Sequence, residues 1–167
     1  MPLVWSLDRL AQAPILQPPS LSPLLVLMAG WPLAMLAVPA AALIAWQATG
    51  MPLAEALHRA VWLGVVPGTL ALLLGLAARR WLPRQPFVYI LVRAFLGTWI
   101  ALVASAALGL YVGGGSDVEP GREDLLLARL LASSGEAVLT GMLVAICVAY
   151  RPRWLATWSD RLYLERR

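Results

Sequence analysis

A chain of 167 residues with 60% hydrophobic and 13% charged residues, and a mean hydropathy of +0.75, is too apolar to be an ordinary water-soluble domain. Its net charge of +4 and pI near 10.0 come from 13 basic residues that are all arginine. These gather at the ends of apolar segments instead of forming a basic stripe, which argues against a nucleic-acid partner. The composition predicts an all-α, polytopic transmembrane bundle in a lipid bilayer, a single domain over residues 1–167.

The first residues, "MPLVWSLDRLAQAPILQPPS", lack a basic leading region, and Asp8, Arg9 and several prolines break their apolar stretches. They read as part of the mature chain and not as a cleaved signal. The first predicted span runs from Leu24 to Trp46 and contains Pro32 and Pro39. Each proline removes a backbone donor, so this helix is expected to be kinked or broken. Such irregularity serves either a cavity between helices or ordinary kinking, which is common in membrane helices. His58, the single histidine, stands where the second span, Ala60 to Ala78, enters the membrane, and an interfacial role fits it better than ligation. Pro67 interrupts that span in the same way.

The loop over 79–85 carries Arg79, Arg80 and Arg84, and the third span follows from Phe87 to Val112. Arg93 lies about two turns inside it. It can snorkel to the near interface or reach for Glu136, about 10 Å away in depth by helix rise. Gly97, Ala101, Ser105 and Gly109 recur every fourth residue, as do Ser133, Ala137, Gly141 and Ala145 in the fourth span, Leu125 to Tyr150. Small residues at that interval let helix backbones approach closely, so spans three and four are expected to pack along these two seams.

Glu136 is a lone acid deep in the fourth span; the next charge is Arg151. A carboxylate at that depth costs about 2.5–3.5 kcal/mol to insert, so it must face protein or a wet cavity. Ser133 and Thr140 share its side of the helix and complete a polar strip. The strip is either a polar site on a transport path or a hydrogen-bonded structural element. Arg129, near the outer end of the span, is expected to snorkel. Cys147 has no partner cysteine, which excludes an intramolecular disulfide and a cysteine-based zinc cage.

The tail carries Arg151, Arg153, Arg161, Arg166 and Arg167, whereas 47–59 has only Arg59 and "GGGSDVEPGRED" sets Arg122 among four acids. By the positive-inside rule both termini are cytoplasmic. Trp46, Trp81, Trp154 and Trp158 fall near the expected interfaces. The absence of lysine and asparagine points to a GC-rich genome, hence a bacterial inner membrane. No nucleophile, base and orienting group assemble from these residues, and there is no Walker loop or H-E-x-x-H, so neither an enzyme nor a bound cofactor is expected.

"GEAVLTGMLVAICVAYRPRWLATWSDRLYL", Gly135 to Leu164, resembles the C-terminal signature of proteobacterial energy-coupling-factor transporter permeases. These are related to the cobalt and nickel substrate-capture components encoded with cobalamin-biosynthesis genes. "QPFVYILVRAFLG", Gln85 to Gly97, and "LMAGWPLAMLA", Leu27 to Ala37, resemble two further stretches of that family. The resemblance implies capture of a divalent transition metal and docking on a transmembrane coupling subunit driven by two ATPase subunits. Glu136, Ala137, Thr140, Gly141 and Met142 match the family's Glu-Ala-x-x-Thr-Gly-Met pattern. The metal ligands do not carry over, because Pro2 follows Met1 and "LQPPSLSPLL", residues 16 to 25, has no histidine. Glu136 is therefore expected to order the helix core or a second shell and not to bind the ion. Two other classes stay open: a non-transporting membrane scaffold or assembly subunit, and a transporter of protons or small solutes working through Glu136.

Overall fold

The computed structural model describes Trp5 and residues 18–83, 85–112 and 122–159, and these are helical with no strand among them. Five legs follow in chain order: α1 (Ser22–Ala29), α2 (Trp31–Thr49), α3 (Leu53–Trp81), α4 (Pro86–Val112) and α5 (Arg122–Tyr150). A 3-10 turn, Pro152–Trp154, opens the tail. Four legs are long and apolar enough to cross a membrane: α2, α3, α4 and the Leu126–Tyr150 part of α5. The chain is an all-helical, multi-pass membrane bundle.

The first predicted span is broken, as its prolines led one to expect, and the break falls at Gly30. The apolar run from Leu24 to Trp46 is two helices, because the chain breaks at Gly30, where φ is 85° and ψ 159°. Only glycine adopts that conformation without strain. Pro32 then falls in the first turn of α2, where a missing N–H costs nothing. The crossing is Trp31–Thr49, and α1 is a separate leg about 12 Å long.

The second and third crossings each contain a π-helical turn, Ala60–Val65 in α3 and Tyr89–Leu96 in α4. The first has an identifiable cause. Pro67 lacks the amide that would serve Leu63 four residues back or Trp62 five back, so the ladder widens ahead of it.

Large apolar side chains face outward, among them Leu33, Leu36, Leu73, Leu139 and Ile146, while alanines and hydroxyl residues fill the inside. That is how bundles in lipid pack, since close approach of backbones does the work that water expulsion does elsewhere. The α4 seam faces α3 rather than α5, which corrects the expected pairing. Ser105 Oγ donates to the Trp62 carbonyl at 2.7 Å, and a Cβ on Gly109 would lie 3.3 Å from the Trp62 ring. Gly97 and Ala101 are buried on the same seam. α5 does pack on α4, but on its other face: a Cβ on Gly141 would meet Phe95 Cβ at 3.2 Å, and Trp99 Nε1 donates to Ser134 Oγ at 2.9 Å. Ala137 is buried and Ala145 half-buried along that contact.

Arg79 and Arg80 end α3 at the same end of the bundle as Arg151 and Arg153. Trp5 lies in the opposite half, where it packs with Met51 and Ala56 and its carbonyl accepts from Arg59 Nη1. The four spans expected from the sequence are the four long apolar legs, and α1 is a short helix in addition to them. By arginine bias, a reporter fused after Arg167 should be active in the cytoplasm and one placed in the 50–52 turn only outside. The reverse pattern would overturn this orientation.

A candidate functional site where Glu136 meets a half-helix

The site is built around the start of α1. A helix leaves its first amides without intrahelical partners, and α1 has no side-chain cap of its own; its N-cap is Leu21, held at φ 56°. The Ser22 amide donates to Ser20 Oγ at 3.1 Å, and Glu136, 7% exposed, reaches across from α5 to the two amides that lead into the helix. Its Oε2 accepts from the Ser20 amide at 2.7 Å and its Oε1 from the Leu21 amide at 2.6 Å. Two adjacent N–H groups thus hold one carboxylate, with the positive end of the α1 dipole behind them.

The same turn secures the irregular stretch of α3. Ser20 Oγ donates to the Leu63 carbonyl at 2.5 Å and Ser22 Oγ to the Gly64 carbonyl at 2.6 Å. With Ser105 on Trp62, three serines, one just ahead of α1, one at its start and one on α4, serve three successive carbonyls of the π-turn. Two of these, on Trp62 and Leu63, are the carbonyls that Pro67 cannot serve. Buried Trp5 closes the site by donating Nε1 to the Ser20 carbonyl at 3.3 Å.

The far end of α1 is held too. After α5, the tail returns so that the Ala156 amide donates to the Met28 carbonyl at 2.9 Å and Thr157 Oγ1 to that of Leu27 at 3.0 Å. Tyr89 and Thr157 share a hydroxyl bond of 2.7 Å, and Trp158 stands edge-on to Tyr89 with centroids 4.9 Å apart. Trp158 is thus buried against Tyr89 at the arginine-rich end of the bundle, whereas Trp81 and Trp154 are exposed. α5 and its tail therefore grip α1 at both ends.

Of the four polar candidates, Ser133, Glu136 and Thr140 are all buried on the inner side of α5. Arg93 is elsewhere. Its Nη1 points to the Thr157 carbonyl at 3.5 Å and its guanidinium lies 5.5 Å from the Tyr89 ring centre, so it leans toward the tail and not toward Glu136. Arg129 donates its Nη1 to the Ala106 carbonyl of α4 at 3.0 Å. His58 is exposed beside Trp62, and Cys147 is a free thiol in the cluster formed by Leu27, Tyr89 and Val144. Among the described residues, no three of His, Cys, Asp and Glu come together as a metal site.

Sequence reasoning missed Ser20, Ser22, Gly64 and Gly68. The signals were present, since Ser-Leu-Ser-Pro is a helix-start pattern and Gly64 and Gly68 are four apart. Chemically, the site holds a carboxylate at membrane depth by backbone donors alone. It can position a half-helix.

Comparison of the chain with protein-family models, curated proteins and solved structures found no match.

Proposed function

We propose that the chain is the membrane-embedded permease component of an uptake transporter of the energy-coupling-factor class, carrying a transition metal such as cobalt or nickel and performing no chemistry of its own. One observation carries this reading: the three stretches that bear the resemblance are packed together. Leu27 from the first, Tyr89 and Ala94 from the second, and Val144, Leu155 and Trp158 from the third form a single buried cluster. Three stretches far apart in sequence are in this way parts of one structural unit. Coupling and ATPase subunits would supply the energy, and Glu136 acts in this proposal as an organiser, since both its oxygens are engaged by backbone amides.

The test is cobalt and nickel accumulation in bacterial cells expressing the chain alone and with candidate coupling and ATPase subunits, beside Glu136→Gln brought to equal amounts of folded protein. Accumulation that needs the added subunits and falls in the variant is the expected result. No accumulation in any combination, with the protein folded and inserted, overturns the proposal. A second reading draws on the half-helix itself, because broken helices ending near the bilayer midplane are a device of proton- and ion-coupled transporters. It predicts pH-dependent solute flux without added subunits, abolished by Glu136→Gln.

A further inference from the structure

Arg93 is 9% exposed, and a guanidinium removed from water requires compensation for its permanent charge. Little is provided within the bundle. Its Nε has no hydrogen-bond partner, its Nη1 makes one long bond to the Thr157 carbonyl, and the Tyr89 ring is 5.5 Å away. No carboxylate of the described residues pairs with it; the ion pair between described residues is Arg59 with Glu55, toward the other end of α3. Gly75 makes room for it, since a Cβ there would lie 2.8 Å from Nε.

The guanidinium lines an open pocket at the arginine-rich end of the bundle, between the end of α3 and the start of α4. Arg79, exposed on α3, lines the same pocket, and the remaining walls are apolar, including Ala78, Leu82 and Val88. Beside it stand Trp81 and Phe87, 79% and 68% exposed, which offer an apolar surface continuous with the outer face of the bundle. Two cations with no anion among the described residues, set at the arginine-rich end of the bundle and bordered by apolar surface, have the chemistry of a phospholipid phosphate site.

We propose that this pocket binds the headgroup phosphate of an anionic phospholipid, with Arg93 as its inner donor and Arg79 as its outer one. The chemistry shared with a free phosphate is the oxyanion. The lipid is favoured by the apolar surroundings, and the arginine bias puts this end in the cytoplasmic leaflet, where anionic lipids provide the negative surface. The inference is independent of the transport proposal.

The test uses the full chain in zwitterionic micelles, titrated with phosphatidylglycerol, phosphatidylcholine or inorganic phosphate, with bound lipid counted by native mass spectrometry and the thermal midpoint followed in parallel. Wild type should prefer phosphatidylglycerol over phosphatidylcholine by about tenfold or more, the worth of one charge-assisted contact. Arg93→Gln and Arg79→Gln should each lose that preference. Arg79 is exposed, so its variant keeps the test valid if Arg93→Gln fails to fold. Arg80→Gln removes the same charge from the same helix end but outside the pocket, and should keep the preference. An absent preference overturns the proposal, as does an equal loss in Arg80→Gln, which would reduce the effect to general surface charge. Inorganic phosphate raising the midpoint as far as phosphatidylglycerol does would assign the site to a soluble anion and overturn it as well.

Discussion

Glu136→Leu should insert into the membrane at least as well as wild type and yet fail to hold the bundle together. Two effects act on different steps. Insertion of α5 is eased, because an acid at helix centre costs about 2.5–3.5 kcal/mol that leucine does not. Assembly is harmed, because the Ser20 and Leu21 amides lose the carboxylate and no water replaces it at that depth. Each of the two charge-assisted bonds contributes about 1.5–3 kcal/mol, so the loss on assembly is about 3–6 kcal/mol. Glu136→Gln keeps one acceptor oxygen but sets its NH2 against the other amide, and should lose at least one bond, about 1.5–3 kcal/mol. Membrane-fraction yield, compared with the monodispersity and denaturant resistance of the extracted protein, separates the two steps. If Glu136→Leu matches wild type in resistance, the clamp on α1 does not hold the fold.

The four crossings were legible because length and hydropathy are local properties, and the arginine clusters at their ends are local too. The leg α1 was not. The apolar run passes through Gly30 without interruption, and what separates α1 from α2 is a positive φ together with bonds from Ala156 and Thr157, well over a hundred residues away. Pro67 announced a disturbed helix, but the repair comes from Ser20, Ser22 and Ser105, and hydroxyls carry no mark of which carbonyl they will serve. Period-four spacing identified the Gly97 to Gly109 seam as an interface, yet it cannot name the neighbour, and α3 took the place expected of α5. Glu136 was conspicuous as a buried acid while its partner was invisible. A search among side chains offers Arg93, whereas the actual donors are backbone amides 115 and 116 residues earlier, a kind of group every position possesses.

Gly68→Ala should destabilise the protein, although alanine is the better helix former by about 1 kcal/mol. The reason lies in what surrounds the missing Cβ. It would lie 2.8 Å from Met35 Cε and 3.4 Å from Val26 Cγ2, and would press into Ser22 Oγ. The Met35 terminus can swing aside. Ser22 cannot do so freely, since its hydroxyl holds the Gly64 carbonyl and α1 is fixed at one end by Glu136 and at the other by the tail. Overpacking of about 1–3 kcal/mol and a weakened hydrogen bond of about 1 kcal/mol then outweigh the gain in propensity, for a net loss of about 1–3 kcal/mol, larger for Gly68→Val. Gly135 supplies the opposite case: it is helical and exposed with nothing within 4 Å of a Cβ, so Gly135→Ala should be neutral or stabilising by up to about 1 kcal/mol. A double-mutant cycle with Ser22→Ala completes the argument. If the clash is with the serine oxygen, removing it should recover part of the Gly68→Ala loss, giving a coupling of about 0.5–3 kcal/mol. Additive losses, or equal responses at Gly68 and Gly135, would mean that α1 can slide away from α3, and the two-ended grip on the half-helix would have to be abandoned.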